Sequence, residues 1–232
     1  MTASISPIRP TASERAARSG HTPQHYDEQG PSWFSPRPVW WDRRMHLATT
    51  DAGNDLLAHD SLALLIGMLL DQQIPMEKAF TSPSVLRDRM GRDLDATEIA
   101  GYDSAAFEQL FRTPPALHRF PAAMAKRVQA MAQLLVDEFD GRADTVWTGA
   151  ADGADLVRRI GRLPGFGEQK ARIFAALLGK QFGVEPAGWR EAAGAYGEDG
   201  SFRSVADVTD DASLKRVRSF KQQMKAAAKA EL

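Results

Sequence analysis

Apolar residues recur at helical spacing along most of this chain. Leu62 to Leu70 is apolar nearly all round, which marks a buried central helix. Asp60 or Ser61 caps its start and Pro75 ends or kinks it. A helix from about Met76 follows, with Pro83 expected to break it. Short helices near 95–101 and 103–111 carry Asp95 and Asp103 as caps. Pro121 suits a first helical turn, and Met124, Val128, Met131, Leu135 and Phe139 then trace one stripe to Gly141. Leu156, Ile160 and Leu163 recur at spacings of four and three, and Ile173, Phe174, Leu177 and Leu178 repeat the pattern before Gly183 stops it. These two helices are expected at about 153–163 and 167–182. A glycine- and aromatic-rich stretch runs to Phe202, followed by a short helix near 203–207 and a final one from about Ser213 to Ala230. No alternating strand pattern of any length is present. The predicted class is all-α.

Residues 1–44 break this pattern. They hold six of the 13 prolines and three of the five tryptophans, with no helical period. They read as a mostly disordered extension before Ser32, while Trp33, Trp40 and Trp41 leave an ordered, docked arm open for 33–44. The folded part, 45–232, begins at Met45, which also reads as an alternative translation start.

Between the two late helices lies Leu163-Pro-Gly-Phe-Gly-Glu-Gln-Lys-Ala171. Two glycines flanking one apolar residue make a tight hairpin, because glycine tolerates positive φ and close backbone approach. The second helix opens with free N–H groups, which favour an anion. Residues 156–180 carry six basic side chains, Arg158, Arg159, Arg162, Lys170, Arg172 and Lys180, against Glu168 alone. Residues 214–232 likewise carry six bases against one acid, whereas 51–110 carry four against eleven. The net charge of −1 thus hides an acidic part and a basic one. Such a molecule can present a positive face to a phosphate backbone. The plainer alternative is that each cluster is a solvated helix face.

Other classes fall away on composition. The chain has no cysteine, so disulfides, thiolate zinc sites, a cysteine nucleophile and a cysteine-held iron–sulfur cluster are excluded. No apolar run spans a bilayer and no signal-peptide core is present, so a cytoplasmic protein is expected, nucleoid-associated if bacterial. The five histidines (21, 25, 46, 59 and 118) show no metal-ligand spacing, and His118 reads as a loop residue.

A buried helix ending Leu69-Leu70-Asp71-Gln72-Gln73, then a middle bundle, then Phe120-Pro-Ala-Ala-Met-Ala-Lys126, then Leu163-Pro-Gly-Phe-Gly167 forms a combination. It resembles the helix-hairpin-helix (HhH-GPD) DNA glycosylase superfamily of base-excision repair, the group of endonuclease III and the adenine glycosylases. The hairpin alone also occurs in polymerases, ligases and recombination proteins. The Gln-Gln helix end some ninety residues upstream sharpens the match, which covers about residues 56–184. The resemblance implies a two-lobed all-α fold with double-stranded DNA bound across the cleft by a monomer. It implies that Gln73 enters the duplex near a flipped base, where an amide can both donate and accept without carrying a charge. Gln72, Leu163, Gly165, Phe166, Gly167, Lys170 and Arg172 complete the expected DNA-binding set, with the amides of Gly165 and Gly167 gripping phosphate. Relatives often hold a potassium or sodium ion on hairpin carbonyls. No other cofactor is implied.

The chain departs from the family pattern in its chemistry. Cleavage of an N-glycosidic bond develops oxocarbenium character that a nearby carboxylate stabilises. The family aspartate aligns near Trp189, and no aspartate lies between Gly183 and Asp199. Glu185 and Glu191 are the nearest candidates. The lysine of the lyase members aligns with Gln169; Lys170 is one residue later, about 100° round a helix of ~3.6 residues per turn. Lys170 therefore reads as a phosphate contact or a salt bridge to Glu168 or another acid ahead of a nucleophile. Trp189 and Tyr196 read equally as base-stacking or lobe-packing aromatics, and Glu198-Asp199 as a turn or part of the pocket mouth. Three functions remain: a glycosylase, monofunctional since position 169 is an amide; a non-catalytic lesion-binding member of the same fold; or a helical protein-interaction module.

Overall fold

The computed structural model describes residues 45–230; the expectations for 1–44 lie outside the described residues. Eleven α-helices and no strand occur among the described residues. The first, α1 (Asp51–His59), was not anticipated from the pattern; Thr50 caps it by accepting the Gly53 amide at 3.0 Å. Asp60 closes α1 and opens α2 (Ser61–Leu70), its carboxylate accepting the amides of Leu62 and Ala63 at 2.9 Å. Every α2 residue from Leu62 to Leu70 is buried, as an all-round apolar helix requires.

Helix α3 (Met76–Met90) runs straight through Pro83, against the expected break. Proline removes the N–H that would bond the Ala79 carbonyl, and the helix persists with Ser82, Pro83 and Ser84 buried against the core; the flanking hydroxyls bond back to other helix carbonyls. Ser82 donates to Lys78 O at 2.8 Å, Thr81 to Glu77 O at 2.7 Å and Ser84 to Thr81 O at 2.8 Å. Helices α4 (Ala96–Gly101) and α5 (Ser104–Arg112) start on the predicted caps Asp95 and Asp103. Both pack on α6 (Pro121–Phe139), which buries Met124, Val128, Met131 and Leu135.

The second group comprises α7 (Thr145–Thr148), α8 (Gly153–Gly161), α9 (Glu168–Phe182) and α10 (Trp189–Ala193). Helix α10 lies in the stretch that showed no period, and it exists because Trp189 docks on α9. A Cβ at Gly179 would stand 2.4 Å from the Trp189 ring, so only glycine lets the indole seat there. The last helix, α11 (Asp211–Ala230), begins on a reciprocal pair: Ser213 N donates to Asp210 Oδ1 at 2.7 Å and Asp210 N to Ser213 Oγ at 2.9 Å. The turn before it is pinned to α9 by a buried Lys180–Asp207 ion pair at 2.6 Å and by Gln181, which donates to Ala206 O at 2.9 Å. Both helix groups share one continuous apolar core. A cleft opens where the end of α2, the start of α9 and the outer face of α11 converge.

Candidate functional site

The cleft is organised by the C-terminal end of α2, whose last carbonyls need partners. Lys170, in the first turn of α9, supplies them: Nζ donates to Met68 O at 2.8 Å, Leu69 O at 3.0 Å and Asp71 O at 3.3 Å. A cation also suits the negative end of the helix dipole. Burial pushes the ammonium down to about 8; Arg127 acts in the same direction and Asp71 against it. No carboxylate comes within ion-pair distance of it among the described residues. The expectation that Lys170 grips phosphate or pairs with Glu168 is thereby corrected, and Glu168 instead holds Arg172 at 2.6 Å.

Beyond α2 the chain turns sharply, with Gln73 at φ 57° in the left-handed region, a conformation that costs roughly 1–2 kcal/mol for a residue with a Cβ. Gln72 secures the turn. Its Nε2 donates to Leu69 O at 2.7 Å, its Oε1 accepts from Arg127 at 3.0 Å, and its carbonyl accepts from His118 Nε2 at 2.8 Å. His118 Nδ1 accepts the Phe120 amide at 3.1 Å, which fixes the tautomer. Burial pushes this imidazole below its ordinary range. Gln72, expected on DNA, has both ends of its amide engaged within the protein, while the Gln73 side chain is exposed. His118 is more than a loop residue: it ties the Arg119–Phe120 corner to the Gln72 turn. Phe120 is 43% exposed, with the Arg119 guanidinium 4.7 Å above its ring.

In the hairpin Gly165 has φ 87°, and a Cβ there would lie 2.4 Å from Leu69 Cδ1. Gly167 is extended (φ −74°, ψ 171°), with nothing within 4 Å of a Cβ. Only the first glycine is demanded by the fold. The amides of Gly165 and Gly167 have no acceptor among the described residues. Leu163 and Phe166 are 2% and 3% exposed, and Phe166 packs edge-on against Phe174 at 5.9 Å; they serve the core, and their side chains are not offered to a ligand.

The cleft encloses about 830 Å³. Met68, Asp71, Gln72 and Gln73 line one side, Gln169, Lys170 and Ile173 another, and Val217, Arg218, Lys221 and Lys225 of α11 a third, with Glu77 and Arg119 also in the lining. Glu77 is paired with Arg218. Asp71 makes no side-chain hydrogen bond or ion pair among the described residues. Burial raises its carboxyl above the usual range, against the pull of Lys221 and Lys170.

The family model described as "HhH-GPD superfamily base excision DNA repair protein" matches residues 66–232. The chain belongs to the HhH-GPD superfamily. No curated protein and no solved structure gives a significant match.

As an HhH-GPD protein the chain differs from its sequence-based expectation in where its charge is available. All six cations of 156–180 are engaged. Arg158 and Arg159 pair with Asp155, Arg162 with Glu138, Arg172 with Glu168 and Lys180 with Asp207, while Lys170 caps α2. Lys221 and Lys225 have no partner among the described residues and face the cleft. Their spacing from Arg218, three and then seven residues, puts all three on one helical face, which is the signal that could have assigned them.

Glu185 and Glu191 are exposed and line no part of this HhH-GPD cleft. Trp189 is buried under Arg190, whose guanidinium lies 4.4 Å over the ring, so of the two readings it is lobe packing. Tyr196 is half-buried and accepts from Gln169 Nε2 at 2.8 Å. Asp199 and Glu198 pair with Arg190 and Arg203 across their turn, away from the pocket mouth. No side-chain cluster among the described residues has the make-up of a metal site.

Proposed function

We propose that this HhH-GPD protein is a monofunctional DNA glycosylase: a monomer that binds duplex DNA, receives an extruded damaged or mispaired base in the cleft, and hydrolyses its N-glycosidic bond. The observation that carries the reading is the exposed, left-handed Gln73 on a turn clamped by Lys170, Arg127 and His118. Such a turn holds one amide rigidly at the edge of a cationic cleft, where it can replace an extruded base in the stack. The unengaged Gly165 and Gly167 amides suit one backbone phosphate. The Pro164 and Gly165 carbonyls, which accept no hydrogen bond among the described residues, supply oxygen donors of the kind a potassium or sodium ion takes. Lys170 has its donors committed to carbonyls, and position 169 is an amide that forms no Schiff base, so lyase chemistry is not part of the proposal.

The alternative is a lesion-binding protein without catalysis. It is favoured by one observation: neither acid that follows the second hairpin helix, Glu185 or Glu191, reaches the cleft. A panel of duplexes carrying single modified or mismatched bases separates the two. Abasic-site formation from at least one supports the glycosylase; tight lesion-specific binding with no base release supports the alternative. Binding should be salt-dependent, and Lys221→Ala and Lys225→Ala should each lower the slope of log K against log salt by about 1. An unchanged slope would remove α11 from the DNA interface.

A further inference from the structure

We propose that Asp71 supplies the carboxylate for glycosidic cleavage in this chain, in place of an acid after the second hairpin helix. The inference rests on the glycosylase reading above.

The geometry selects one acid. Two carboxylates line the cleft, and Glu77 is neutralised by Arg218. Asp71 stands two residues from Gln73, at the first position beyond α2, on backbone that Lys170 and the Gln72 contacts hold in place. Its side chain is committed to no hydrogen bond and no ion pair among the described residues. Asp60, Asp95 and Asp103 cap helix N-termini and are held by backbone amides; Asp71 lies at a helix C-terminal end, where the free backbone groups are carbonyls and give a carboxylate no donor. Lys170 and Lys221 lie near enough to favour its ionised form, and its desolvated setting makes the anion a stronger base and a stronger partner for positive charge.

The step balances with water as co-reactant. The C1′–N bond breaks with its electron pair leaving on the base nitrogen, which takes a proton from solvent. C1′ acquires oxocarbenium character facing the Asp71 carboxylate. A water oxygen bonds to C1′ and passes one proton to Asp71, which later returns it to solvent. The products are the free base and an abasic hemiacetal, the sum of nucleotide and water.

The test needs no knowledge of the lesion. Two duplexes of one sequence are compared, one with a neutral tetrahydrofuran abasic residue, the other with a cationic pyrrolidine that mimics the oxocarbenium charge. The parent protein should bind the pyrrolidine duplex ~10-fold or more tightly than the tetrahydrofuran duplex, as expected for a carboxylate in a water-poor cleft. Asp71→Asn should abolish the preference and keep the tetrahydrofuran affinity. Asp71→Ser repeats the loss with a smaller side chain, and circular dichroism with melting temperature establishes that each variant is folded. Glu185→Gln and Glu191→Gln should keep the parent's preference. A parent without preference overturns the proposal with no variant needed, as does a folded Asp71→Asn that retains it. A parent that binds neither duplex overturns the glycosylase reading itself.

Discussion

Lys170 Nζ lies 2.8 Å from the carbonyl oxygen of Met68, 102 residues earlier in the chain. This contact joins the first turn of the second hairpin helix to the end of the buried helix, so the hairpin and the Gln73 turn are held as one unit. The ammonium takes the place that a C-terminal capping motif fills in other helices.

Replacing Lys170 by Met should leave the Met68 and Asp71 carbonyls without their donor, Leu69 O keeping Gln72 Nε2, and cost about 2–4 kcal/mol of stability. The loss should depend on pH in a defined direction. The folded-state value of about 8 is below the ordinary 10.5, so between them the unfolded chain holds the more protons. Linkage then makes the parent's stability rise with pH in that window, by at most about 1.4 kcal/mol per unit. Urea unfolding of parent and variant at pH 7, 8, 9 and 10 measures this; equal slopes would show that Lys170 titrates normally. Borohydride trapping on abasic DNA should stay at background in both proteins.

The two hairpin glycines should behave oppositely. Gly165→Ala forces a Cβ into Leu69 at positive φ and should cost about 2–4 kcal/mol. Gly167→Ala meets open space in an extended conformation, so stability should change by less than about 1 kcal/mol. If the Gly167 amide approaches phosphate, duplex affinity should fall in this variant regardless of sequence. Chemical denaturation and fluorescence anisotropy separate the two effects, and a Gly167→Ala protein with parental affinity would argue against a phosphate at that amide.

Gln73→Gly relieves the left-handed strain but adds the flexibility of glycine, for a net change of about +0.5 kcal/mol in stability. It should lower discrimination between lesion and intact duplex more than it lowers binding to intact duplex. A residue kept for folding would show the reverse: a loss of stability with discrimination unchanged.

His118 should make the Gln72–Phe120 corner acid-sensitive. Burial holds its folded-state value below the ordinary 6.5, so just beneath pH 6.5 the unfolded chain binds the more protons. Stability should therefore fall as pH drops through that window, because protonation removes the lone pair that accepts the Phe120 amide. His118→Gln should flatten the dependence between pH 7 and 5 in urea unfolding. A slope unchanged by the substitution would assign it to other groups.

The sequence by itself determined the helices and their order where local rules act alone. Apolar period fixed α2, α6, α8 and α9; Asp60, Asp95 and Asp103 fixed three starts; Pro-Gly-Phe-Gly fixed the hairpin. Local rules failed where a distant partner decides. Helix α3 continues past Pro83 because that stretch is buried in its packing on α2, and α10 forms because Trp189 fits against Gly179. The site divides in the same way. The exposure of Gln73 was legible, because it follows the end of an apolar helix. The surroundings of Lys170, Asp71 and the α11 lysines were not, since a charge has no meaning until its partners are known. Lys170 turned inward to carbonyls a hundred residues away, and the hairpin arginines and Lys180 met acids. Among the described residues Lys221, Lys225 and Asp71 make no side-chain hydrogen bond or ion pair around one cleft, because only the folded chain brings the ends of α2 and α9 against the face of α11.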